Sequence, residues 1–286
     1  MGQSAKRAKK PASTAKPTGS RGISEHEVED VEEMSTPRTP VIYEVVRRLG
    51  DEEMERPLVS LWWSGLAAGL SISFSLLTQG ILREHLPDAP WRILIAAFGY
   101  SVGFLIVILG RQQLFTESTI TAVLPILKEL TPGNVWRMAR LWAIVLVANL
   151  AGTLFAALFC TFFPVIPEAL HTSMLEIARE MAALSWWQML FRGVSSGFII
   201  AAMVWMLPAA ESAKLPVITL MTWLIAVGGF THVVAGSMEA YLLVLAGEWE
   251  WWRFATSFFA PVLIGNMAGG TALFALISYA QVMKEI

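Results

Sequence analysis

The constraint on this chain is a series of apolar stretches with few charges, at residues 59–80, 91–110, 117–127, 135–163, 186–207, 215–230, 233–246 and 254–282. A helix needs about 20 apolar residues to cross a bilayer. The stretches 117–127 and 233–246 are too short to cross alone, and each closely follows another apolar stretch. Each therefore reads as the second half of an interrupted helix. Six spans result, the second and fifth of them broken. Charge agrees: of 21 Lys/Arg and 23 Asp/Glu in 286 residues, ten and eleven fall within residues 1–57. The remaining chain is too poor in charge to cover the surface of a soluble globule. A single Cys excludes a disulfide scaffold, and a net charge of −2 argues against a nucleic-acid partner.

Residues 1–57 read as a charged, largely disordered tail and 58–286 as the membrane domain. The tail opens with six Lys/Arg and no acid among residues 1–22, then reverses sign at 24–33. No apolar run follows that would make a cleaved signal. Val41, Val45 and Leu49 recur every four residues, which predicts a short amphipathic helix on the membrane surface. With the tail cytoplasmic, that side collects fifteen Lys/Arg, including Lys128, Arg137, Arg140, Lys214 and Lys284. The opposite side has five: Arg83, Arg92, Arg179, Arg192 and Arg253. The asymmetry puts both termini inside a cell (inner) membrane. Trp62, Trp63, Trp91, Trp136, Trp186, Trp187, Trp249, Trp251 and Trp252 fall near span ends, where interfacial aromatics belong.

The two halves echo each other. Gly65-x-x-x-Gly69 matches Gly193-x-x-x-Gly197, Phe115-Thr116-Glu117 matches Phe230-Thr231-His232, and Asn149-Leu150-Ala151-Gly152 matches Asn266-Met267-Ala268-Gly269. Three spans per copy make the repeat inverted, with a substrate path at the repeat interface lined by discontinuous helices. Half-helix N-termini at the breaks suit an anion. The glycines read as points of close helix approach. Cys160 has no base beside it, and no HExxH, paired CxxC, phosphate-cradling loop or metal cluster occurs. The chain reads as a transporter or channel that needs no cofactor, not an enzyme.

Leu114-Phe115-Thr116 at the first break, Gly229-Phe230-x-His232 at the second, and Pro261-x-x-x-Gly265-Asn266-x-x-Gly269-Gly270 in the last span together resemble the formate/nitrite transporter family, as do Trp142 and Asn149-Leu150-x-Gly152. The resemblance covers about residues 58–283 and fits a less characterised branch best. It implies an aquaporin-like, all-α six-helix fold, assembled as a homopentamer with one pore per protomer. It also implies permeation of small weak-acid anions such as formate, nitrite or hydrosulfide, together with protons.

Carried over by motif, Thr116 and His232 form the central polar pair. Leu114 and Phe115 lie at one constriction, Ile200 at a second, and Phe230 lines the centre. Ile225 stands where the family's cytoplasmic slit is closed. Arg111 and Glu117 flank the first break, Glu117 either as a pore-lining charge or as the partner of Arg111. The chain departs from the family at Gln113, usually acidic, and at Glu117, usually a small residue or Gly. Thr231 stands for Glu and Gly236 for Asn. It has no Lys between Lys128 and Lys214 to attract anions, a task open to Arg179 or Arg192. An anion crossing an apolar constriction bears a Born cost of about 10 kcal/mol or more, and a neutral acid far less. The expected mechanism is protonation near His232, since an unperturbed imidazole changes charge near physiological pH.

Overall fold

The computed structural model describes residues 37–286. The expectations for residues 1–36 lie outside them. Every regular element among the described residues is helical. Five helices are long and apolar enough to cross a membrane, and the fifth passage along the chain is made of two shorter ones.

Helix α1 (Thr39–Glu55) precedes the first span, α2 (Leu58–His85). The second passage is α3 (Arg92–Leu109), a break, then α4 (Phe115–Thr121) and α5 (Val123–Lys128). The third is α6 (Pro132–Phe162), started by Thr131, whose side chain accepts from the Asn134 amide. After the amphipathic α7 (Glu168–Ala182) come α8 (Trp186–Met206) and a second broken passage, α9 (Lys214–Val227) and α10 (Ala235–Leu245). The last span, α11 (Trp251–Val282), contains π-helical turns at Phe254–Phe259 and Ala268–Ala275. The first ends just before Pro261, which has no amide proton for an α-helical bond, and the second holds Gly269-Gly270.

Breaks inside a membrane leave backbone groups with no water to bond, so protein must satisfy them. Two asparagines do this in parallel fashion. The fully buried Asn149 of α6 accepts the Phe115 amide at 2.9 Å and donates to the carbonyls of Gln113 (2.9 Å) and Gly65 (2.8 Å). Asn266 of α11 accepts the Val233 amide at 2.8 Å and donates to the carbonyls of Thr231 (3.0 Å) and Gly193 (2.9 Å). The turns before the breaks match too. Gln112 donates to the Val107 carbonyl as Phe230 does to Ile225, both at 2.9 Å, and the residues before them, Arg111 (φ 50°) and Gly229 (φ 59°), are both left-handed.

This pairing corrects the register of the repeat. It pairs Phe115 with Val233 and Leu114 with His232, three residues out of step with the Phe-Thr pairing read from sequence. Thr116 therefore corresponds to Val234. The glycine expectation holds where helices cross: a methyl added at Gly69 would lie 2.9 Å from the Gly152 Cα, so α2 and α6 touch backbone to backbone.

The tail-side helix differs from expectation. The compact unit begins at Arg38, so α1 belongs with the membrane domain and not with a disordered tail ending at residue 57. Val41, Val45 and Leu49 are its exposed face, while Tyr43, Val46, Gly50 and Met54 are buried. The four-residue spacing located the helix and an apolar stripe that stays exposed, and the opposite face docks on the membrane domain. Gly50 lies against the Thr121 carbonyl, and Arg140 of α6 donates to the Met54 carbonyl at 2.7 Å. Of the interfacial tryptophans, Trp249 alone is buried, under the Arg253 guanidinium at 4.8 Å.

Two outcomes follow from these contacts. Asn149→Leu removes three hydrogen bonds at a buried break and should destabilise the protein by about 3 kcal/mol or more, with Asn266→Leu similar; thermal unfolding in detergent measures this. The second concerns Glu53, whose half-buried carboxylate accepts from Thr121 Oγ1 at 2.5 Å and from Gln113 at 3.4 Å. Burial pushes the Glu53 carboxyl above the usual carboxylate range. A carboxyl raised on docking favours the protonated form, so docking weakens as pH rises through that raised value. Protection of the amides of residues 39–55 against hydrogen exchange, taken relative to the intrinsic rate at each pH, should be lower in neutral than in mildly acidic buffer, and Glu53→Gln should abolish that difference in protection.

Candidate functional site

A cavity of about 500 Å³ opens at the end of the molecule opposite α1 and runs inward to His232. Six elements wall it. The end of α2 brings Arg83, the start of α3 brings Arg92 and Tyr100, and α7 brings Glu180 and Met181. Helix α8 brings Arg192, the second break brings Ile225 through His232, and α10 brings Gly236 and Glu239. The wall from α7 was missing from the sequence reading, which left residues 164–185 as a connection. Its signal is the helical spacing of Leu170, Met174, Ile177 and Met181, all buried.

His232 closes the inner end, 1% exposed. Its Nδ1 accepts the Ala235 amide at 3.1 Å, so the neutral ring carries its proton on Nε2. That Nε2–H donates to Thr116 Oγ1 at 2.8 Å, and the Thr116 hydroxyl keeps its own proton to donate onward. The Phe104 ring packs edge-on against the imidazole at 5.2 Å. Thr116 and His232, 116 residues apart in sequence, are thus in direct contact.

Leu114, Phe115, Thr116 and Ile200 are all buried, none above 2% exposed, and none lines the cavity. Of the four, Thr116 is in direct hydrogen-bond contact with His232. Phe115 packs against Trp142 with ring centroids 6.0 Å apart. Phe230 is a half-buried wall residue of the cavity next to Gly229.

Three expectations need correction. Ile225 lines the cavity shared with Arg83, Arg92 and Arg192, on the side away from α1, and so cannot close a slit on the tail side. The cause is the turn at Gly229, which brings the end of α9 and His232 to one wall. Second, Arg111 and Glu117 form no ion pair among the described residues. Arg111 takes the left-handed position that ends α3 and is exposed, whereas Glu117 is half-buried in the first turn of α4. Third, of the two arginines considered for anion attraction, Arg179 is held by Glu248 at 2.6 Å and stands away from the cavity.

Arg192 does line it, donating to the Gly229 carbonyl at 3.2 Å. Arg83 is paired with Glu180 at 2.5 Å and Arg92 with Asp88 at 3.6 Å. Arg192 alone of the three lacks a carboxylate partner among the described residues. The cavity thus carries an excess of positive charge at its mouth and polar donors at its inner end. The residues in contact with it hold no cluster of His, Cys, Asp and Glu fit for a metal ion.

Comparison with known proteins bears on the family and the fold. Residues 40–280 match the model of the family described as formate/nitrite transporter. The chain is 44% identical over 249 residues to the inner membrane protein YfdC of Escherichia coli, covering 87% of this chain and 80% of that one. It is 24% identical over 242 residues to the formate channel FocA of Haemophilus influenzae, covering 76% and 84%. Among solved structures it resembles a pentameric formate channel with formate bound, at a TM-score of 0.66 and 19% identity over 79% of this chain and 98% of that one. An FNT family ion channel matches at 0.70 and 19%, over 85% and 98%. The all-helical fold is the fold of those channels, and the chain, a multi-pass membrane protein, belongs to the formate/nitrite transporter family.

Proposed function

We propose that this chain conducts small monovalent weak-acid anions of the formate, nitrite or hydrosulfide type, which pass the apolar constrictions as the protonated species next to His232. The observation that carries the reading is the buried contact between His232 Nε2 and Thr116 Oγ1 at the inner end of a cavity with a positive mouth. Arg192 draws the anion in. The aligned donors, ring N–H to hydroxyl and hydroxyl onward, offer a hydrogen bond to an anionic oxygen or sulfur. Beyond them Leu114, Phe115 and Ile200 form a dry barrier where a bare charge costs about 10 kcal/mol or more. A neutral acid crosses that barrier at far lower cost. Phe230 and Ile225 narrow the approach on the cavity side, and Glu117 and Arg111 belong to the exit. No bond of the solute other than to its proton is made or broken, so the role is transport and not catalysis.

The working form is a homopentamer in the inner membrane with both termini cytoplasmic. The pentameric relative and the many exposed apolar side chains along the spans favour it, and so does the Lys/Arg asymmetry of the two ends.

Reconstituted vesicles test the reading. Formate, nitrite or hydrosulfide should swell vesicles holding the protein faster at lower pH. His232→Phe should abolish the pH-dependent flux while the assembly keeps its size in detergent. Absence of flux for all three and for acetate in the wild type would falsify the proposal. Flux indifferent to pH and to His232→Ala would identify a neutral-solute channel instead. Arg192→Gln should lower entry of the anion about tenfold at low ionic strength and much less in high salt, as a steering charge does.

A further inference from the structure

The hydrogen bonds of His232 restrict where the proton given to the substrate can come from. Its Nδ1 is occupied by the Ala235 amide and its Nε2–H by Thr116. Taking up a second proton would break the bond to Ala235. A group that exchanges protons with the cavity has to come from elsewhere.

Glu239 is that group by position. It lies on α10 seven residues beyond His232, which precedes that helix in the break. Both line the one cavity, and the residue between them on that wall, Gly236, carries no side chain to separate them. Glu239 is half-buried and has no ion-pair partner among the described residues, unlike Glu180, which holds Arg83, and Asp88, which holds Arg92. Carboxyls at membrane depth are costly and usually functional.

The groups facing it come from each neighbouring wall. Arg83 comes from α2, Arg92 and Tyr100 from α3, Glu180 from α7, Arg192 from α8, and His232 from the break. Helix α6 and the first π-turn of α11, which also pack on α10, add no charged group to the cavity wall. Among the described residues Arg192 is the one cavity-lining cation without a carboxylate partner, so an anion drawn to it enters a space whose one cavity-lining acid outside an ion pair is Glu239.

We infer that Glu239 is the proton-exchange residue of this cavity, protonating the incoming weak-acid anion before it reaches His232 and Thr116. The step is a proton transfer: the Glu239 Oε–H bond breaks, an O–H bond forms on the substrate oxygen (S–H for hydrosulfide), and the carboxylate is reprotonated by hydronium from the water-filled mouth. The neutral acid then accepts the hydrogen bond of Thr116 and crosses the dry segment. The inference rests on the permeation reading.

The test uses the full chain in lipid vesicles with formate as the probe. Glu239→Gln, which keeps the shape and loses the proton, should slow uptake at least about tenfold and flatten its rise on acidification, while Glu239→Asp retains both. A glutamine variant with wild-type rate and pH profile would overturn the inference. Infrared spectroscopy supplies a readout independent of flux. The wild type should show a protonated carboxyl C=O band that vanishes as external pH rises and shifts in Glu239→Asp; absence of any such band also overturns it. The same titration decides the matter if the glutamine variant fails to assemble. If wild-type protein moves no probe anion, the permeation reading falls, and the infrared titration alone upholds or overturns proton exchange at Glu239.

Discussion

Everything in this molecule depends on keeping two interrupted helices inside a membrane without stranding their backbone. A break frees amide and carbonyl groups that lipid cannot satisfy. Here one buried asparagine per half meets the need, each with one acceptor and one forked donor: Asn149 ties Gly65, Gln113 and Phe115 together, and Asn266 ties Gly193, Thr231 and Val233. Three elements converge on each side chain, a span from the start of the half, the break, and a span from its end. The glycine contacts between those spans are the companion of this arrangement. Only with the helices backbone to backbone does so short a side chain reach both neighbours.

The two halves then diverge at matching places, and the divergence makes the site. Leu114 and His232 occupy equivalent positions in the two breaks. One is apolar and buried, and the other is a ring that meets Thr116 across the molecule. The left-handed turn residue is Arg111 in one half and Gly229 in the other. Glycine adopts that conformation without strain, whereas arginine accepts a cost of about 1 kcal/mol. Gly229 also leaves its carbonyl open to Arg192, which sets the positive mouth of the cavity. The carboxyl equipment differs likewise. Glu239 is built into α10, whereas at the matching place in the other half Thr121 is bonded by Glu53 of the docked helix α1.

Much of the site was legible because polar residues are scarce in the spans. Thr116 and His232 stood out against apolar surroundings, and the motifs around them led to their pairing, which the structure shows as one hydrogen bond. Glu239 passed unnoticed by the same logic. It lies in the short stretch read as the second half of a broken helix, without a motif, and its relation to His232 follows only from the cavity that both line. Ile225 shows the opposite failure. Its place in the chain was clear, but the cavity it lines depends on how the turn at Gly229 folds back.

The sequence by itself determined the class of fold, because runs of apolar residues about 20 long have few places to go other than a bilayer, and runs half that length must be halves of something. It also determined that the halves are related, since Gly-x-x-x-Gly and Asn-x-x-Gly motifs recur in order. Register was left to the tertiary structure. Three residues separate the Phe-Thr match from the pairing that the asparagines enforce, because a hydrogen bond to a backbone amide is indifferent to which side chain that amide carries. The docking face of α1 was decided in the same way. Exposed valines satisfied the spacing as well as buried ones did, and only contact with Thr121, Glu53 bonding and the close approach at Gly50 chose between them. Periodicity reports that a helix has two faces; which of them is covered depends on the partner, and the partner is distant in the chain.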